Sequence, residues 1–357
     1  MGINSWFSYG RNELRELINS VLDDVLHWRI AVVYGPTSAE DRLYMSSKPR
    51  SEWSINDVLS GLSELGVDAV WLEPTQPDFA ERVREFDAAF INAHGSFGED
   101  GDLQGLLAYL GVPYTGSGVA SSAIAADKRL TKLVLAHSGV PVPTYRRVSS
   151  SHPADLSTIG APVMLKAVDG GSSVGMELVN DLNDLGNVLK RFHLEGFSDI
   201  IAETFVDGLA VTVPSIRIRN EIVLLPPVVC VTDREFYDEH SKLRGDRDGS
   251  VQYHTLTDPT DVRLHRLHDA VRKVLEIIDF EGAVRVDFIL GHNDQPILLE
   301  INSIPGVQHG SNLVLSATSI DIDYPSLLGI ILASAANMKK IATWKQKKIV
   351  HRQVVTK

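Results

Sequence analysis

Cysteine is almost absent from this 357-residue chain, with Cys230 standing alone. One thiol cannot build a disulfide framework within the chain, so a reducing compartment fits. Cys230 lies in the apolar run LLPPVVCV and reads as a core residue. Basic charge is in deficit. There are 34 Lys and Arg against 46 Asp and Glu, a net charge of −12 and a pI of about 5.4. That balance gives no general affinity for nucleic acid or an anionic membrane surface. The exception is the last 19 residues, KKIATWKQKKIVHRQVVTK, with seven Lys or Arg and no acid. A solvated end, a partner contact or a weak anionic-surface patch would each produce it, and the solvated end is the first reading. No apolar run is long enough for a membrane span. The start lacks a basic region followed by an apolar segment, and MGINSW has Trp6 where acylation needs Ser or Thr. A cytoplasmic protein without membrane insertion is expected.

What is present is ordinary globular material, 44% hydrophobic and 22% charged, enough for two or three domains and without repeats or low-complexity segments. Residues 1–27 read as a helical extension with Leu14, Leu17, Ile18, Val21 and Val25 on one face. RIAVVYG then reads as a buried strand, SINDVLSGLSELG as a helix closed by Gly66, and VDAVWLE and FDAAFINAHG as further strands. Such buried runs predict a parallel α/β sheet over 28–117. SSAIAADKRLTKLVLAHSG reads as one helix stopped by Gly139, followed by strands in APVMLKAV and DIIAETFV. That makes a small α+β unit over 118–203. The part from 204 to 338 carries more strands, a hairpin and a closing helix, YPSLLGIILASAANM, before the basic tail 339–357.

Several stretches carry chemistry. In VRVDFIL, Arg285 and Asp287 share one strand face, and in LLEINSIPG so do Glu300 and Asn302. The turn GHNDQP between them predicts a β-hairpin with all four side chains together. Carboxylates and an amide are hard oxygen donors of the kind Mg²⁺ takes. A solvated face of an amphipathic hairpin gives the same pattern. KAVDGGSSVGM sets Lys166 before a Gly-Ser-rich loop able to wrap phosphate oxygens, although it is not a Walker loop. A flexible connection would look alike. HGSFGEDGDLQG brings His94 and three acids to a strand end, where open α/β sheets bind ligands. GPTSAED brings Glu40 to another. GVPYTGSGVASSA has Ser121 where a dinucleotide fingerprint needs its third glycine, so a nicotinamide site is excluded.

The order of these blocks, from Trp28 to Met338, resembles the D-alanine–D-alanine ligases of the ATP-grasp superfamily, most specifically in the stretches His94–Lys128 and Glu300–Gly306. The resemblance implies a three-domain ATP-grasp fold: a Rossmann-like N-terminal parallel sheet, a small central domain and a C-terminal domain with an antiparallel sheet. ATP would be clamped between the last two. It implies cytoplasmic peptidoglycan (cell-wall) synthesis, small-molecule substrates, a homodimer and two Mg²⁺ ions, with Mn²⁺ also suited to oxygen ligands. Asp287, Glu300 and Asn302 match the metal ligands. Lys128 and Lys166 match the phosphate lysines, and Gly171, Ser172, Ser173 and Gly175 the phosphate loop. Lys242 matches a lysine closing over the phosphates. Glu203 matches the acid meeting the adenine amino group, with Phe205 and Val206 lining the base. Glu40 matches the acid receiving the first ammonium, His94 a substrate-site histidine, and Arg285 and Gly306 the oxyanion groups. Ser311 matches a residue holding the second carboxylate, beside Asn312.

The implied reaction activates a carboxylate as an acyl phosphate, which the amine of a second amino acid attacks, giving a dipeptide, ADP and phosphate. Two positions depart from the family pattern. Ala210 replaces a ribose-binding Glu, and Leu243 replaces a Tyr that bonds with the equivalents of Glu40 and Ser172. Leu243 cannot donate a hydrogen bond. Ser303, Val307 and the stretch QHGSN also differ. A ligase joining other amino or hydroxy acids in a specialised small-molecule pathway is therefore the alternative to D-alanyl-D-alanine formation.

Overall fold

The computed structural model describes residues 2–37, 42, 45–46, 49–149, 156, 158–168, 175–232 and 251–337. The chain opens with a short strand, β1 (Gly2–Ser5), and the helix Arg11–Leu22. β2 (Arg29–Val33), the helix Ser54–Glu64, β3 (Asp68–Leu72) and β4 (Ala88–Ile91) follow. β2 lies between β3 and β4, parallel to both. Its run Ile30–Val33 is wholly buried because helices cover both faces, which is why it reads as a continuous apolar stretch.

The helices Asp102–Leu110, Val119–Ala126 and Lys128–Val134 lead to an antiparallel sheet that has four strands among the described residues. It comprises β5 (Tyr145–Val148), β6 (Val163–Ala167), β7 (Met176–Val179) and β8 (Ile200–Thr204), with the helix Leu185–Leu194 packed on it. The single helix expected through residue 127 is two. Asp127 leaves the helical region and its carboxylate accepts hydrogen bonds from the backbone N–H groups of Arg129 and Leu130, both at 2.8 Å. An Asp N-cap starts a new helix with Lys128 as its first residue.

Among the described residues the last sheet has seven strands. β9 (Leu209–Ile218) pairs along one edge with β10 (Glu221–Leu224) and β11 (Val228–Thr232), and along the other with β13 (Ala283–Leu290). β12 (Val251–Thr255) borders β11, and β14 (Pro296–Asn302) closes the hairpin with β13. The helix Val262–Ile277, capped by Asp261, packs Leu267, Val271, Val274 and Leu275 against this sheet. Strand-dominated expectations for this segment overlooked it. The chain continues through the helices Asn312–Thr318 and 324–337.

Residues 1–27 also differ from a plain helix. β1 pairs in parallel with β10, Gly2 opposite Glu221 through Ser5 opposite Leu224. Leu14, Ile18 and Val21 of the following helix then join the core formed with Leu327, Leu328 and Ile331. The extension is thus a built part of the last sheet's edge. Cys230 is buried, as expected.

Candidate active site

The β13–β14 hairpin sets the site. Arg285 stands opposite Asn302, and Asp287 opposite Glu300. A bulge after Asp287 leaves Leu299 without a partner, so Phe288 faces Leu298. Bulges re-aim side chains next to functional sites. Arg285 donates two hydrogen bonds to Asp287, Nε to Oδ1 and Nη2 to Oδ2, each 2.9 Å. Thr212, opposite Asp287 on β9, donates its hydroxyl to the same carboxylate. Lys128 Nζ lies 3.8 Å from Glu300 Oε2. The Asn302 carboxamide oxygen accepts the Ile304 N–H at 3.0 Å, starting the turn to Gly306.

The loop after β4 closes onto this hairpin. Ser303 donates its hydroxyl to the Glu99 carbonyl at 3.3 Å. Gly98 presses against the Ala93 carbonyl, whose oxygen would stand 2.5 Å from any Cβ there, so only glycine lets the loop fold back. Gln104 braces it, donating to the Gly98 carbonyl and accepting from the Gly101 N–H. The Glu99 carboxylate oxygen Oε2 is shut from solvent, makes no hydrogen bond among the described residues, and sits 4.0 Å from His94 Nδ1. Burial pushes the Glu99 carboxyl up to about 7, against the lowering pull of the Gly95 N–H, Arg285 and Lys128, while Glu300 adds to the rise. Glu99 was not singled out from the sequence, where it was one acid among three in a glycine-rich stretch. Its loop position between two glycines was the available signal.

A second group lies on the four-stranded sheet. Glu203 on β8 is 1% exposed and ion-paired at 2.8 Å with both Lys166 on β6 and Lys132 on the helix Lys128–Val134. Burial alone would raise its carboxyl, but the two ammonium groups outweigh burial and hold it below the usual range. Lys132 was unmarked in the sequence because a lysine on an amphipathic helix usually faces water. Phe205 and Val206 follow directly after β8 and are half-buried, and Ala210 lies in β9 opposite Cys230 and Ile289.

Beyond the hairpin, the Gln308 carboxamide covers Gly306, its oxygen 2.7 Å from where a Gly306 Cβ would stand. Any side chain at 306 would collide with it. The Ser311 hydroxyl, at the start of the helix Asn312–Thr318, is buried and makes no hydrogen bond among the described residues. His309 packs against Tyr324 with the rings tilted and their centroids 4.2 Å apart, and its backbone N–H donates to Asp57 at 3.1 Å. Glu40, Gly171, Ser172, Ser173, Lys242 and Leu243 lie outside the described residues. Among the described residues no three or more His, Cys, Asp and Glu side chains group to hold a metal ion. The candidate donors are two carboxylates and an amide, opposite or adjacent on one hairpin, a hard oxygen set that suits a divalent cation.

A family model described as D-ala D-ala ligase C-terminus matches residues 134–333, and one described as D-ala D-ala ligase N-terminus matches 51–117. The chain belongs to the D-alanine–D-alanine ligase family. The D-alanine–D-alanine ligase of Acidovorax ebreus is 33% identical over 312 residues, covering 86% of this chain and 91% of that protein. That of Pseudomonas entomophila is 32% identical over 321 residues, covering 89% and 96%. The crystal structure of the Bacillus anthracis D-alanine–D-alanine ligase complexed with ATP superposes with a TM-score of 0.73 at 26% identity, over 87% of this chain and 98% of that one. The ATP-grasp fold expected for the family is the fold found here, a parallel sheet followed by two largely antiparallel ones. Among the described residues, no helix is long and apolar enough to cross a membrane.

Proposed function

We propose that this protein is an ATP-dependent ligase that joins two D-alanine molecules through an acyl phosphate, releasing ADP and phosphate. The carrying observation is the charged hairpin: Arg285 forked onto Asp287, Asp287 opposite Glu300, and Lys128 beside Glu300.

Asp287, Glu300 and Asn302 would hold two Mg²⁺ ions, Mn²⁺ also suiting their oxygen atoms. Bound there, divalent ions neutralise phosphate charge. Lys128 and Lys166 pair with the phosphates, together with Lys242 and the loop Gly171–Ser173 assigned from sequence. Glu203, with Phe205 and Val206, receives the adenine. Glu40 takes the first ammonium group. The first carboxylate then attacks the terminal phosphorus of ATP and expels ADP. The second amine attacks the resulting carbonyl carbon. The tetrahedral oxyanion forms beside the Arg285 guanidinium and the Gly306 N–H, where fixed donors stabilise it. Collapse expels phosphate and leaves the peptide bond. The Ser311 hydroxyl, buried and without a hydrogen-bond partner among the described residues, would receive the second carboxylate beside Asn312, and His94 would contact substrate. Leu243, assigned to this pocket from sequence alone, is a residue type that cannot donate a hydrogen bond to the substrates.

The three sheets correspond in this reading to domains over 28–117, 118–203 and 204–338. The enzyme works in the cytoplasm as a homodimer and supplies peptidoglycan synthesis. Ligation of other amino or hydroxy acids is less favoured, because the relatives named above are D-alanine–D-alanine ligases. The test is phosphate release by the purified protein with ATP, Mg²⁺ and D-alanine, beside a panel of other acids, with the product identified by mass. D-alanine-dependent release of the dipeptide supports the reading, and release only with another acid pair replaces it.

A further inference from the structure

Lys132 takes no part in the reaction described above, yet it is more deeply buried than Lys128 or Lys166. Its side chain is 0% exposed. A buried ammonium carries a large desolvation cost, and an apolar residue of the same shape would often serve stability as well. Its contacts show what it does instead. It pairs with Glu203 Oε1 at 2.8 Å and donates to the Leu299 carbonyl at 3.4 Å. Glu203 belongs to the four-stranded sheet, whereas Leu299 is the unpaired bulge residue just before Glu300 in the seven-stranded one. One helical turn earlier, Lys128 reaches Glu300 itself. The two lysines, four apart on one helix face, tie both sheets together across the site.

The second oxygen of Glu203 belongs to Lys166, also at 2.8 Å. Lys166 is the lysine assigned to the phosphates. When it turns toward a nucleotide, Glu203 would be left buried and unpaired were Lys132 not present. We propose that Lys132 is a positioning residue for nucleotide recognition: it keeps Glu203 ionised and aimed while Lys166 serves the ligand. An ionised carboxylate only accepts hydrogen bonds. It therefore favours the exocyclic amino group of adenine and disfavours the carbonyl that guanine presents at the same place. The inference rests on the reading of Glu203 as the adenine-facing acid.

The experiment compares wild type, Lys132→Met, Lys132→Arg, Glu203→Gln and the Met/Gln double variant. Binding of non-hydrolysable ATP and GTP analogues is read by titration calorimetry, with thermal melting as a control for folding. Losing one charge-assisted hydrogen bond is expected to weaken ATP-analogue binding in Lys132→Met about tenfold and to narrow the ATP-over-GTP preference by a similar factor. Lys132→Arg, which keeps a cation beside Glu203, is expected to retain the preference. The double variant is expected to be no worse than Glu203→Gln, since Lys132 acts through that carboxylate. Unchanged preference in Lys132→Met overturns the proposal, as do losses that simply multiply in the double variant. If Lys132→Met does not fold, loss of the preference in a folded Lys132→Arg overturns it equally. Binding is read without turnover, so a wild type that binds the ATP analogue but forms no dipeptide contradicts the reaction proposed above and not this assignment.

Discussion

Arg285 grips the carboxylate of Asp287 with two parallel hydrogen bonds of 2.9 Å, two residues away on the same strand. The fork holds the guanidinium on the hairpin face that also carries Glu300 and Asn302. A lysine presents a point charge and cannot reproduce it. Arg285→Lys is expected to lower kcat about a hundredfold, the scale of losing one oxyanion donor, with the KM for ATP near wild type. A parallel rise in that KM with kcat intact would place Arg285 at substrate binding instead.

Asn302 stands where the hairpin turns toward Gly306 and offers the one neutral oxygen of the proposed metal set. Chelation of divalent ions with EDTA is expected to abolish turnover, and Mg²⁺ to restore it. In Asn302→Ala the Mg²⁺ concentration needed for half the maximal rate is expected to rise on the order of tenfold or more. A rate that falls with no change in Mg²⁺ dependence would remove Asn302 from that set.

Glu99 supplies a pH signature. Its ordinary carboxyl value of 4.5 rises to about 7 in the folded protein, chiefly through burial. The folded state therefore holds a proton that the unfolded chain has released. Stability from this group is full below about 4.5 and is lost as the pH climbs through about 7. In nucleotide-free melts from pH 5 to 8, wild type is expected to lose stability relative to Glu99→Gln as pH rises. Parallel curves for the two proteins would show that Glu99 titrates normally.

The N-terminal strand makes a stability claim. Trp6 is buried, edge-on to both Phe7 and His268. His268 is shared between the Ser5 hydroxyl at 2.8 Å and the Leu225 carbonyl at 3.0 Å, and Arg272 also donates to Ser5. Trp6→Ala is expected to cost about 3 kcal/mol in urea unfolding. Burial pulls His268 down to about 4 from 6.5. This contribution is therefore present above about pH 6.5 and is lost as the pH falls toward 4. A cost within a few tenths of a kcal/mol for Trp6→Ala would mean that β1 does not hold the sheet edge in solution.

How much of this could be read from the chain depends on scale. The hairpin face was legible because alternation has a period of two and Arg285, Asp287, Glu300 and Asn302 obey it. The bulge at Leu299 was not, since nothing local marks an unpaired residue. The parallel sheet followed from the buried run RIAVV. The break at Asp127 was hidden because SSAIAADKRLTK is apolar at helical spacing on both sides, and an Asp inside it reads equally as a surface residue. β1 has only four residues and is a strand solely through its pairing with β10, a tertiary effect beyond local propensity. Lys132 and Glu99 were missed for one reason: burial of a charged group is decided by what packs around it, and residues far apart in sequence supply that packing.

The central claim is that a carboxylate is activated by phosphorylation before the peptide bond forms. It is tested most directly with D-alanine carrying oxygen-18 in its carboxylate, ATP and Mg²⁺, followed by mass analysis of the released phosphate and of the dipeptide. The account predicts one labelled oxygen in each phosphate released with dipeptide formation. Dipeptide accompanied by wholly unlabelled phosphate would contradict it.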